Sequence, residues 1–291
     1  MGDPRGIGPE ITAAVLPCAA AHTTVIGPGN LIASLQADRH VDLGPWDGGG
    51  EEPLRHAGLF TVRAVERAVE LWKAGEVDAI VTAPGEKRAM HAAGYRFPGH
   101  TELLRDLTGA RRVAMMLASD RLRVVLVTTH LALREALSIL TRERIEDVAA
   151  TTREGLRAWF GIAEPRIALC ALNPHAGEDG LFGYEEERTL APAARAAGLI
   201  GPLPADTVFV RALKGEFDAV LAPYHDVGMT ALKVASFGHG VNVTLGLPVP
   251  RTAPDHGTAL DIAGKGLADH SSMRHAVETA AAIVRRRLTG S

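Results

Sequence analysis

Short apolar runs alternating with alanine-rich stretches constrain the fold of this chain more than any other feature. Residues 77–83, 122–128, 166–172 and 217–222 are built mostly from Val, Leu, Ile and Ala. Their length and near-continuous apolarity suit strands covered on both faces. Around them, 60–74, 100–108, 143–158, 184–197 and 270–287 read as helices. Strand and helix taking turns is the pattern of an α/β protein with a mainly parallel sheet. At 291 residues the chain is long enough for one large domain or two of ordinary size. No repeat at a fixed period and no low-complexity linker breaks it up.

Composition bears on partners and compartment. A hydrophobic fraction of 46%, with 31 Lys+Arg against 34 Asp+Glu, predicts a soluble globular protein. The net charge of −3 offers no basic field for nucleic acid or an anionic membrane. Cys18 and Cys170 cannot form a disulfide framework and read as buried thiols of a reducing compartment. Residues 11–36 lack Asp, Glu, Lys and Arg, but Pro17, His22 and Gly27-Pro28-Gly29 interrupt the stretch, so it is not read as a membrane span. Gly2 is not a myristoylation signal, because residue 6 is Gly. The opening also lacks a cationic region leading into an apolar one, and a cytoplasmic location is expected.

The segments just past the apolar runs point to chemistry. They are Thr82-Ala-Pro84-Gly-Glu86-Lys87, Thr128-Thr-His130, Asn173-Pro-His175-Ala-Gly177-Glu178 and Pro223-Tyr224-His225-Asp226. Open α/β sheets bind ligands at the carboxyl ends of their strands. His130, His175 and His225 would therefore bring imidazoles from separate strand ends around one ion, such as zinc or another first-row divalent metal. Taken singly, a strand-end His is more often a capped or partly exposed polar residue. Lys87 and Lys233 fall a few residues past strand ends, where a lysine holds an anion, moves a proton or is simply solvated.

Two glycine-bearing segments add to this. Gly2-Asp-Pro-Arg-Gly6-Ile-Gly8-Pro-Glu10 precedes a helix expected near Pro9, whose free amides could meet an anion or cofactor. Ile11 stands where a dinucleotide fingerprint needs its third glycine, and there is no Walker A sequence. The segment from Asp255 to Gly266 is rich in loop-formers and carries Asp255 and Asp261, which suits ribose hydroxyls or a structural loop. Arg251 is a further candidate for clamping an anion.

Taken together, these segments resemble one known family. Gly2-Asp-Pro-x-Gly-Ile-Gly-Pro-Glu10, Thr82-x-Pro-x-x-Lys87, Pro98-Gly-His-Thr-Glu102 and Asn173-Pro-His-Ala-Gly-Glu178 are similar to the 4-hydroxythreonine-4-phosphate dehydrogenase family. Tyr224-His-Asp226, Val241-Asn-Val-Thr-Leu-Gly-Leu-Pro248, Arg251-Thr and Asp255-His-Gly-Thr-Ala-Leu-Asp261 extend the match in order through nearly the whole chain.

The resemblance implies an isocitrate/isopropylmalate dehydrogenase-like fold of two α/β/α domains with the active site in the cleft between them. Domain limits of 1–95 plus 237–291, and 96–236, are expected. It also implies a homodimer with shared active sites and a divalent metal (Zn, Mg or Co). With NAD or NADP, a secondary alcohol of a small acidic substrate would be oxidised, and the β-keto acid product would lose carbon dioxide. Carried over, the metal ligands are His130, His175 and His225. His100, Thr101, Lys233, Asn242 and Arg251 would bind substrate. Lys233 and Asp226 would be catalytic, and Gly257, Thr258 and Asp261 would contact the cofactor.

Two departures stand out. Val227 and Met229 replace an amide and an imidazole common after the fourth apolar run. Their loss removes hydrogen-bonding capacity near His225 and suggests a paralogue acting on a phosphorylated threonate or erythronate, or on a dihydrodiol carboxylate. The family also has an apolar strand just before Gly-Asp-Pro, where this sequence has only Met1, which predicts an unpaired strand edge and reduced stability. A metal-dependent hydrolase or lyase without nicotinamide, and a non-catalytic relative keeping the fold, are the competing readings.

Overall fold

The structure is a computed structural model describing residues 1–236 and 239–289. The chain begins with α1 (Gly8–Val15), β1 (Thr24–Gly27), α2 (Gly29–Ile32), β2 (Arg39–Asp42), α3 (Pro53–Lys73), β3 (Ile80–Val81), α4 (Lys87–Ala92) and α5 (His100–Thr108). It continues through β4 (Ala114–Ala118), β5 (Arg123–Leu126), α6 (Leu133–Ser138), α7 (Arg142–Phe160), β6 (Ile167–Cys170), α8 (Ala191–Ala197) and β7 (Ile200–Leu203). Next come α9 (Ala205–Leu213), β8 (Ala219–Ala222), α10 (His225–Ser236), β9 (Val241–Leu245), β10 (Arg251–Pro254) and α11 (Ser271–Thr289). They form two compact units, one of Met1–Ala110 with Leu247–Leu288, the other centred on Arg111–Gly246. These limits differ from those expected. The segment 96–110 stays with the first unit because α5 packs on α3, and β9 belongs to the second because it pairs along β4 from Val241 to Leu245.

In the first unit β1 pairs β2 and β10 pairs β3, both in parallel. The long helix α3 opens on Pro53, whose missing N–H costs nothing at a helix start, and buries Ala57, Thr61, Val62, Val65 and Val69 at the spacing of one face. Gly58 lets α4 come close, since a Cβ there would lie 1.9 Å from the Ala89 carbonyl oxygen. Ile7, Ile11 and Val15 of the α1 region form a core with Ala83 and Met273. Each of the buried Ile, Val and Met side chains contributes roughly 1.5–3 kcal/mol of apolar burial.

The unpaired edge expected from the sequence is present. Among the described strands β1 pairs only β2, and β3 only β10. Residues 23–26 and 76–83 line a cavity of about 470 Å³, together with apolar side chains that include Val15, Val65, Ala68, Met273 and Val277. The Met1 amine donates to Ile26 O (2.9 Å) and the Asp3 N–H to Pro84 O (2.9 Å), so residues 1–3 tie the ends of the two strands together.

The second unit carries strands in the order β9-β4-β5-β8-β6-β7. β4 runs antiparallel to both its neighbours, β5 and β9, while β5, β8, β6 and β7 are mutually parallel. The sheet is mainly parallel, as expected, with β4 as its antiparallel strand. Tight reversal between β4 and β5 explains the antiparallel step, because only four residues separate them. Leu117, Val124, Leu126, Ala168, Cys170, Val220 and Ala222 form the core. α7 starts at Thr141, whose side chain accepts the Arg144 N–H, and ends at Gly161 in the left-handed region.

Candidate active site

The site residues of the first unit gather where β3 and β10 run side by side. Arg251 opens β10, and its register partner Ile80 lies just before Thr82. The buried guanidinium (4% exposed) donates to Thr82 Oγ1 through Nε (3.2 Å) and Nη2 (2.6 Å). Burial pulls its proton affinity down to about 10, against a smaller opposing pull from Glu102, so it stays cationic at neutral pH. A charge held this far from water favours an anionic partner.

His100 is the first residue of α5. Burial, then the charges of Arg251 and the Met1 amine, push its imidazole down to about 3. The ring is therefore neutral at physiological pH and acts by hydrogen bonding, not by charge. Its Nε2 is buried with no hydrogen-bond partner. Gly85 allows it to sit there, since a Cβ at 85 would be 2.6 Å from its Cε1. Thr101 is half-buried beside it.

Sequence reasoning missed the network at the start of the chain. Fully buried Asp3 accepts from Arg5 (2.7 Å), and Arg5 reaches Glu86 (2.6 Å), the residue before Lys87. Nothing in the sequence links positions 5 and 86. Lys87 itself is exposed at the first turn of α4. The cofactor candidates lie on an irregular loop, with Gly257 and Asp261 exposed and Thr258 half-buried. That loop rests on the first glycine segment: the Ile7 N–H donates to Thr258 O (2.9 Å) and the Gly266 N–H to Glu10 Oε2 (3.2 Å).

In the second unit the sheet itself brings two histidines together. β5 and β8 are parallel neighbours with Leu126 opposite Ala222, so the segments leaving them emerge side by side. Thr128 Oγ1 donates to Pro223 O (2.9 Å) across that junction. His130 and His225 come next, with ring centroids 5.4 Å apart and planes inclined by 45°. Gly228 seats α10 against β5, since a Cβ there would be 2.8 Å from Leu126 and Val124 side-chain carbons. His225 Nδ1 is 2.7 Å from Asp226 Oδ1, which leaves Nε2 as its outward nitrogen.

His175 is not drawn into this pair. It lies on a left-handed turn after β6, with its ring 6.3 Å from that of Phe182. Among the described residues no group of three or more His, Cys, Asp or Glu is arranged to hold a metal. Two of the three candidate ligands thus meet within one chain. Asp226 is largely exposed, and Lys233 is exposed about 12 Å beyond His225 along α10 at 1.5 Å per residue. Asn242 on β9 has a buried Oδ1 without a hydrogen-bond partner. Val227 and Met229 pack against the core of this unit. Packing thereby accounts for their apolar character, which from sequence alone reads as a change in the site.

The fold is the α/β architecture seen in β-decarboxylating dehydrogenases: a β-decarboxylating dehydrogenase from Thermococcus kodakarensis superposes with a TM-score of 0.54 at 16% identity, over 95% of this chain and 79% of that one. Residues 36–280 match the family model of the pyridoxal phosphate biosynthetic protein PdxA, and the chain belongs to that family. A 4-hydroxythreonine-4-phosphate dehydrogenase of Geobacter metallireducens is 42% identical, over 100% of this chain and 96% of that one. A D-threonate 4-phosphate dehydrogenase of Cupriavidus necator is 49% identical, over 79% of this chain and 71% of that one. The crystal structure of a 4-hydroxythreonine-4-phosphate dehydrogenase from Klebsiella pneumoniae superposes with a TM-score of 0.87 at 40% identity, covering 98% and 96% of the two chains. No described helix is long and apolar enough to cross a membrane.

Proposed function

We propose that this chain is a metal-requiring, NAD(P)-dependent dehydrogenase of a phosphorylated four-carbon hydroxy acid, with decarboxylation of the oxidised product. The observation that carries the reading is the buried Arg251 cation beside a neutral His100 with an unfilled nitrogen. That pair suits a substrate with a phosphate or carboxylate oxygen. Arg251 would supply charge and His100 a hydrogen bond, with Thr101 beside them. Asn242, whose buried Oδ1 lacks a partner, suits a substrate hydroxyl.

His130 and His225 fit a divalent metal as two nitrogen donors, and the Asp226 contact would orient the second of them. Bound there, a metal would act as a Lewis acid on the substrate alcohol, and NAD(P) would accept hydride. Lys233, or Asp226, would exchange the substrate proton. Gly257, Thr258 and Asp261 would contact the adenosine part of the cofactor.

The third ligand, His175, would come from a second copy of the chain in a homodimer. Exposed Leu131, Leu133, Leu137, Leu181, Phe182 and Val234 support this, because they cluster in the segments just after the three histidines.

Between the two substrates named for its relatives, D-threonate 4-phosphate is favoured over 4-phosphohydroxythreonine by the higher identity to the Cupriavidus enzyme. Steady-state assays with both acids and with NAD and NADP test this. Higher kcat/KM on D-threonate 4-phosphate is expected, and a preference for the amino acid would reverse the assignment. Absence of nicotinamide reduction on either would favour a hydrolase or lyase.

A further inference from the structure

The sharpest departure from ordinary backbone surrounds His175. Five consecutive residues from His175 to Asp179 hold φ between 41° and 82°, and only Gly177 among them lacks a Cβ. An L-residue in this region crowds its Cβ against the following carbonyl. A run of them persists only where the surroundings over-determine it.

Glu186 supplies that determination at the base of the run. Its side chain is buried and sits at the start of the π-turn Glu186–Leu190. Oε1 accepts the N–H of Leu172 (2.9 Å) and of Asn173 (2.7 Å), and Oε2 accepts from Asn173 Nδ2 (2.9 Å). Asn173 Nδ2 also donates to Glu185 Oε2 (2.8 Å). The turn springs directly from this point: the Ala176 N–H donates to Asn173 O (3.2 Å), and the Phe182 N–H closes the loop on Gly177 O (3.2 Å). Gly177 is pressed against the same carboxylate, since a Cβ there would lie 3.0 Å from Oε2.

We propose that Glu186 is a positioning residue: its carboxylate clamps Leu172 and Asn173 so that the left-handed turn presents His175. The proposal rests on His175 being a metal ligand, as argued above. A carboxylate suits the task because both oxygens only accept, whereas an amide must turn N–H groups toward some of the three donors.

Zinc alone, competed against a chromophoric chelator, is titrated into the full chain and its E186Q, E186A and H175A variants. Hydrogen exchange of residues 174–183 is followed in the metal-free proteins. Zinc affinity should fall about 10- to 100-fold in both Glu186 variants. Exchange at 174–183 should quicken while that of β5 and β8 stays unchanged. If E186A does not fold, E186Q, which keeps the volume, carries the comparison. Wild-type zinc affinity in the Glu186 variants, with weakened binding in H175A, overturns the proposal and leaves the ligand assignment standing. Unchanged affinity in H175A overturns the ligand assignment instead, and quickened exchange in E186Q then still supports Glu186 as the clamp of the turn.

Discussion

The amine of Met1 donates a 2.9 Å hydrogen bond to the carbonyl oxygen of Ile26 from a partly buried position. Desolvation lowers its pKa from 8.0 to about 5. Between those values the unfolded chain binds the proton more tightly than the folded one, so stability rises as pH goes from about 5 to about 8. At 1.36 kcal/mol per unit the full effect is at most about 4 kcal/mol. Acetylation of the amine keeps the N–H but removes the charge. Denaturant titrations at pH 5 and pH 8 should then differ less for the acetylated protein, and an unchanged difference would exclude the amine as the cause.

The cavity beside that amine runs along β1 and β3, whose facing edges have no strand partner among the described residues. An apolar, β-branched extension of about five residues ahead of Met1 has the length of an ordinary strand. It would bury new side chains and replace the desolvated amine with a peptide group. A gain of at least ~2 kcal/mol is expected, or roughly 4 °C or more in melting temperature. Calorimetry of the extended protein checks this, and an unchanged transition would mean that the slot does not accept a strand.

Much of this frame was legible in the sequence. α5 spans His100–Thr108, the run read as 100–108, because its apolar periodicity and the glycine after it leave little choice. All four apolar runs contain strands. What the sequence did not reveal is pairing between distant segments. The antiparallel placement of β4, the Asp3–Arg5–Glu86 network and the Glu186 clamp all depend on contacts that no local pattern encodes. The meeting of His130 and His225 was legible only as a consequence of both ending apolar runs, and the sheet order decided which pair of strand ends would adjoin. Val227 and Met229 show the opposite limit: their apolar character was plain, but not that they turn toward the core.

Arg251 offers a direct test of anion recognition. Replacing it with Ala removes a buried cation that donates twice to Thr82. The loss of a charge-assisted contact of this kind corresponds to about 2–5 kcal/mol, so kcat/KM should fall roughly 30-fold or more, mainly through KM. Lys at this position restores charge without the planar fork and should recover only part of the loss. Steady-state kinetics of both variants decide it, and an R251A enzyme with wild-type KM would move the anion site elsewhere.

Shared active sites can be tested without locating the metal. If His130 and His225 come from one chain and His175 from its partner, H175A and H225A homodimers each lose every site. Mixed after dissociation, half of the dimers pair one variant with the other, and each such dimer contains one site with all three histidines intact. About a quarter of wild-type activity should return if association is random. Zinc content should recover in the same proportion, which separates restored sites from a trace of contaminating enzyme. Ligands drawn entirely from one chain would leave the mixture inactive, because each chain would still lack one of its own histidines.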